Sequence, residues 1–119
     1  MAKKHADEVV RLGAVRAVSY EFGENPEKCE ACLRFALQIA NHRTHLYQLS
    51  EHVLPELVWV VREHKGSVDI VNKAVRLGIF FAREGYDMSA LVQAVRTIST
   101  DDAELTANRT ELTMACLLE

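Results

Sequence analysis

A Cys-x-x-Cys pair, Cys29 and Cys32, is followed by a His-x-x-His pair, His42 and His45, so the first chemistry to weigh is metal ligation. Thiolate and imidazole are the ordinary donors to tetrahedral zinc, and cysteines followed by histidines is the order of a zinc finger. A zinc finger holds its cysteines in a turn, however, whereas these two fall inside one expected helix. A buried structural thiol is the preferred reading of Cys32, and no metal is assigned to the four residues. A redox Cys-x-x-Cys needs a βαβ frame, which is not expected here. His52 and His64 flank a segment carrying Glu56 and Glu63; such a set can do acid–base work but ordinarily sits on a solvated helix surface. Trp59, among Leu57, Val58, Val60 and Val61, is expected in the core. The sequence contains no phosphate-binding loop, H-E-x-x-H, EF-hand loop or G-x-S-x-G. No catalytic residue and no cofactor are assigned, and a non-catalytic protein is expected.

Whatever these groups do, the frame that positions them is bounded by composition. With 119 residues, 49% hydrophobic and 26% charged, the chain is expected to form one soluble globular domain. A net charge of −3 and scattered basic residues supply no field for a phosphate backbone, so nucleic acid is not expected as a partner. The apolar runs are too short for a membrane span or a secretory signal. Three cysteines then read as reduced thiols, placing the protein inside a cell, in the cytoplasm.

Ala, Leu, Glu, Arg and Val abound while Gly and Pro fall at a few punctuation points, which predicts an all-α chain. Asn25 can cap a helix through its side-chain oxygen, with Pro26 at the first helical position, where its missing N–H costs nothing. Lys65-Gly66-Ser67 and Gly85-Tyr86-Asp87 each end one helix and start another, and Asp101 with Glu104 fits a capping box. The predicted spans are 5–22, 26–41, 43–52, 54–64, 67–84, 87–99 and 101–118.

Two of these helices match each other residue by residue. Cys32-Leu-Arg-Phe-Ala-Leu-Gln-Ile-Ala40 lies over Ala74-Val-Arg-Leu-Gly-Ile-Phe-Phe-Ala82, with small residues, apolar residues and an Arg at shared places. Ala107–Ala115 fits a third time in part, keeping Arg109, Leu112, Met114 and Ala115 but placing Asn108 and Glu111 where the others are apolar. Upstream, Val15 and Val18 lie over Leu54 and Leu57, and Met88 and Leu91 take those places in a third copy. A helical period of about 40 residues is the signature of an α-solenoid, whose repeats bury their apolar faces on one another. Ala36, Ala40, Gly78 and Ala82 are then small because helices approach closely there. Pro55, tolerable only in a first helical turn, marks a corner.

These segments resemble the armadillo repeat and, more distantly, the related HEAT repeat. Gln48–Val58 and Val9–Val15 are similar to the family's junction between first and second helices, and the two stripes ending at Ala40 and Ala82 are similar to its third helices. The resemblance implies an all-α, right-handed solenoid in one domain, with repeats over 3–41, 43–84 and 86–118. It also implies that third helices line a concave groove into which Arg34, Arg76 and Arg109 point, followed by Gln38, Phe80 and Thr113. Nuclear-transport members of that family carry Trp and Asn at these places to clamp a basic peptide, and this sequence has neither. Arginines there suit an extended acidic segment of a protein partner. Three alternatives stay open: arginines on a solvated face, with Arg34 paired to Glu30; an assembly unit, or a piece of a longer array, associating through Val9, Val10 and Leu12; and a small helical metal-binding or enzymatic domain.

Overall fold

The computed structural model describes residues 25–117, and among them six α-helices, a 3₁₀ turn and no strand. The predicted helix 5–22, and with it Val9, Val10, Leu12, Val15 and Val18, lies outside the described residues. The helices are α1 (Pro26–Ile39), α2 (Arg43–His52), α3 (Leu57–Glu63), α4 (Val68–Arg83), α5 (Ser89–Arg96) and α6 (Ala103–Leu117). No helix among the described residues is long and apolar enough to cross a membrane.

Local chemistry fixes most boundaries. Asn25 Oδ1 accepts the N–H groups of Glu27 and Lys28 at 2.9 and 3.1 Å, and Pro26 opens α1. Ser67 caps α4, its Oγ accepting the N–H of Ile70. Gly85, at φ 90°, takes the left-handed turn that lets the chain reverse after α4. Asp87 Oδ1 then accepts both the N–H and the hydroxyl of Ser89, which delays the start of α5 to that residue and holds the Asp87 carboxyl below its ordinary pKa.

Three expected boundaries differ. The span 54–64 divides into a 3₁₀ turn at Leu54–Glu56 and then α3, because Pro55 forbids a continuous α-ladder and Glu56 N–H bonds back to Val53 O at 2.9 Å. The cap of α6 is Asp102 rather than Asp101: its Oδ2 accepts the Leu105 N–H at 2.8 Å while Thr100 Oγ1 holds Asp102 N–H. Helix α1 ends at Ile39, with Ala40 as its C-cap.

The three long helices form a row, α1 against α4 and α4 against α6, backed by the shorter α2, α3 and α5. Helices α4 and α6 run in the same direction, since Asn72 meets Asn108 and Gly78 lies beside Leu112. A cross-pair ties each long junction: Lys73 Nζ stands 3.4 Å from Glu30 Oε1 between α4 and α1, and Arg83 pairs with Glu111 between α4 and α6. Burial repeats between α1 and α4 in step with the sequence match. Cys32, Leu33, Ala36, Ile39 and Ala40 are buried, as are Ala74, Val75, Gly78, Phe81 and Ala82, while Arg34 and Arg76 are exposed.

Gly78 explains the small residue in that pattern. A Cβ there would lie 2.5 Å from Leu91 Cδ2 on α5 and 3.5 Å from Leu112 Cδ1 on α6, so two helices close onto the bare backbone of α4. Trp59 departs from its expected core position. It is 39% exposed and sets its ring edge-on to His64, and His64, expected on the surface, is the buried member of that pair. The reason is periodicity: Leu57, Val60 and Val61 claim the inward face of the short α3, which turns Trp59 outward.

Candidate partner-binding groove

Helix α4 is flanked on both sides by long helices, so only a narrow stripe of it meets solvent. That stripe runs Asp69, Lys73, Arg76, Phe80 and Arg83, the spacing of one helix face along its full length. Asp69, Arg76 and Arg83 are exposed, and Lys73 and Phe80 are half-buried. Most charges along it are already matched. Lys73 Nζ sits 2.5 Å from Asp69 Oδ1 and also reaches Glu30, and Glu30 in turn lies 3.7 Å from Arg34. Arg83 is held by Glu111. Arg76, at the middle of the stripe, has neither an ion pair nor a hydrogen bond to the described residues, and one turn on Phe80 packs its inner edge against the core.

Of the expected groove residues, the structure therefore brings Arg34, Gln38, Arg76 and Phe80 to equivalent places on neighbouring helices, with Arg34 and Gln38 both exposed on α1. Arg109 is placed differently. Its Nη1 donates to Ile98 O at 2.8 Å and to Val95 O at 3.5 Å, closing the C-terminal end of α5, so the side chain is half-buried and directed to its own fold. Burial on α6 also fits α4 one residue further along than the matched arginines suggest. Leu105, Leu112 and Ala115 on α6 take the buried places of Val71, Gly78 and Phe81 on α4. In that register Arg109 stands where Leu33 and Val75 stand, and the exposed places of Arg76 and Phe80 fall to Thr110 and Met114. An inward Arg is tolerated because its aliphatic stem packs while its guanidinium reaches carbonyl oxygens.

Thr110 and Met114 were not among the expected residues. The signal that finds them is the spacing of Leu105, Leu112 and Ala115, once apolar positions are given more weight than a matching Arg. Together with Arg96, Arg109 and Thr113 they line a surface depression of about 420 Å³ between α5 and α6. Thr113 is exposed, and its hydroxyl donates to Arg109 O within the helix, leaving its oxygen as an acceptor toward solvent. Met114 is 53% exposed and offers an adaptable apolar contact there.

The sulfur and imidazole groups are dispersed rather than convergent. Cys29 and Cys32 are both buried within α1, and burial together with the neighbouring Cys32 thiol pushes the Cys29 thiol up to about 11. His42 is exposed at the start of α2 and meets the buried His45 edge-on, with ring centroids 5.3 Å apart. Among the described residues, no three His, Cys, Asp or Glu side chains gather closely enough to hold a metal ion.

Comparison with protein-family models, with curated proteins and with solved structures returns no match.

Proposed function

We propose that this chain is a non-catalytic protein-interaction module, built as an armadillo-like solenoid, that holds an extended acidic segment of a partner along the outer stripe of α4. The row of α1, α4 and α6 backed by shorter helices, the common direction of α4 and α6, and the matched burial along α1 and α4 all support a stacked-repeat build. The observation that carries the function is Arg76. It is an exposed guanidinium at the centre of the stripe, without a partner among the described residues, next to the half-buried ring of Phe80 and on a helix face whose other charges, Asp69, Lys73 and Arg83, are already paired. A carboxylate meets Arg76 through a charge-assisted and often bidentate bond, and an adjacent apolar side chain rests on Phe80 and Met114.

Arg34 is a weaker contact, because an acidic ligand must compete there with Glu30. Fluorescence anisotropy with extended peptides in which Asp and Glu alternate with aliphatic and aromatic residues tests the proposal. Arg76→Glu is expected to weaken binding about tenfold or more, matching the loss of one charge-assisted bond of about 1.5–3 kcal/mol. Arg34→Glu weakens it less, added salt weakens it further, and the melting temperature stays unchanged. Equal binding by Arg76→Glu and the parent refutes the groove.

A further inference from the structure

The C-terminal ends of α3 and α5 form a second cavity, of about 430 Å³, whose lining includes Val61, Arg62, Lys65, Ala94 and Ile98. Its walls divide cleanly by chemistry. Val61, Ala94 and Ile98 form an apolar floor continuous with the core, whereas Arg62 and Lys65 stand exposed at the mouth. Among the described residues, no acidic side chain lines it.

Basic residues at helix C-termini commonly serve the unpaired carbonyls there. At this site the carbonyls that are served take other donors. The end of α5 is closed by Arg109 on Val95 O and Ile98 O and by Thr97 Oγ1 on Ala94 O at 2.8 Å. At the end of α3 the N–H groups of His64 and Ser67 serve Val60 O and His64 O, and neither Arg62 nor Lys65 donates to a carbonyl there. Arg62 and Lys65 have neither ion pairs nor hydrogen bonds to the described residues. Two uncompensated cations therefore stand over an apolar floor, in a cavity of the size that takes small molecules, about 300–1,000 Å³.

We infer that this cavity binds a small aliphatic carboxylate, with its hydrocarbon body on Val61, Ala94 and Ile98 and its carboxylate between Arg62 and Lys65. Charge complementarity with Arg62 and Lys65 selects an anionic head group over an amine. The site is independent of the α4 stripe.

Saturation-transfer NMR with hexanoate, hexanol, hexylamine and acetate as probes reads both halves of the site. Hexanoate is expected to bind about tenfold more tightly than hexanol, which keeps the apolar contact alone, and acetate and hexylamine are expected to give no signal. Arg62→Ala combined with Lys65→Ala, both exposed and without effect on folding as checked by the melting curve, reduces hexanoate to the level of hexanol. Arg76→Glu leaves hexanoate binding unchanged, so failure of the α4 groove and failure of this cavity are told apart. The inference is overturned if hexanoate does not bind at millimolar concentration, if it binds no better than hexanol, or if the double variant binds it as the parent does.

Discussion

Replacing Gly78 with leucine sets two opposing effects against each other. Glycine inside a helix costs about 1 kcal/mol relative to alanine, so propensity alone predicts that Gly78→Leu stabilises α4. Packing predicts the reverse. A Cβ at this position meets Leu91 Cδ2 at 2.5 Å, where carbon atoms ordinarily rest about 3.5–4.0 Å apart. Leu91 is 1% exposed and has no solvent to move into, and the further carbons of a leucine would enter the space held by Leu112 Cδ1 and Met88 Cε, each 3.5 Å from that Cβ. Overpacking of this kind costs about 1–3 kcal/mol, or more where backbones must part. With Leu91 enclosed, the cost falls at the upper end of that range, and after the gain of about 1 kcal/mol from propensity the expected net loss for Gly78→Leu is about 1–2 kcal/mol, which in a domain of this size lowers the melting temperature by about 4–12 °C. Gly78→Ala should fall near zero, since only the flexible end of Leu91 must yield. Leu91→Ala alone should cost about 2–5 kcal/mol. Combined with Gly78→Ala it should cost less than the sum of the two, because the new methyl then occupies space that Leu91 vacated. Urea denaturation followed by circular dichroism measures all four. A Gly78→Leu variant as stable as its parent, or strict additivity in the double variant, refutes the close approach of α5 to α4.

Arg109→Ala should destabilise the fold by about 1.5–3 kcal/mol in the same assay, since it removes the charge-assisted donor to Ile98 O, whereas Arg34→Ala, which breaks only an exposed i,i+4 pair, should cost about 0.5 kcal/mol or less. Equal effects of the two would mean that Arg109 does not close α5. Cys29 makes stability depend on alkaline pH. Its folded pKa of about 11 lies above the ordinary thiol value of 9.0, so the folded state holds the proton more tightly; stability is full below pH 9 and declines as pH rises through 11. A Cys29→Ala variant should show a shallower decline in urea midpoint over that window, and an identical decline would count against a buried thiol. At neutral pH, Cys116, the least buried of the three thiols, should be alkylated before Cys29 and Cys32, as peptide mass mapping after brief iodoacetamide treatment would record. Replacing Asn25 with alanine should cost about 1 kcal/mol by removing both N-terminal bonds of α1, and an unchanged urea midpoint would show that the cap is dispensable.

Much of the fold was legible in the chain because it rests on contacts between near neighbours. Helix starts at Pro26 and Val68 follow from Asn25 and Ser67, whose side chains bond N–H groups within three residues, and the break after α4 follows from the freedom of Gly85 to take positive φ. The match between α1 and α4 was legible for a similar reason: equal surroundings on successive helices call for equal sizes, so Ala36 and Gly78, or Ala40 and Ala82, stand at corresponding buried places. The small residue at 78 even announced a close approach, although it did not say which side chain would fill the gap.

Tertiary structure decided what no local rule ranks. Whether an arginine on a helix faces solvent or its own fold depends on which acceptors a neighbouring helix brings within reach, and the carbonyl of Ile98 holds Arg109 inward while Thr110 and Met114 are exposed beside it. Trp59 turned outward because Leu57, Val60 and Val61 on a helix of two turns filled the inward face first. The availability of Arg76 was likewise invisible in the chain. Arg34 and Lys73 find i,i+4 partners, Glu30 and Asp69, on their own helices, as their spacing allows. The pairing of Arg83 with Glu111 and the second contact of Lys73 with Glu30 cross between helices, and only these positions leave Arg76 without a partner among the described residues. Sequence sets the type and spacing of charged groups and, with them, the i,i+4 pairs within a helix, but pairing across helices is a property of the distances between them, and these are fixed only when the core has packed.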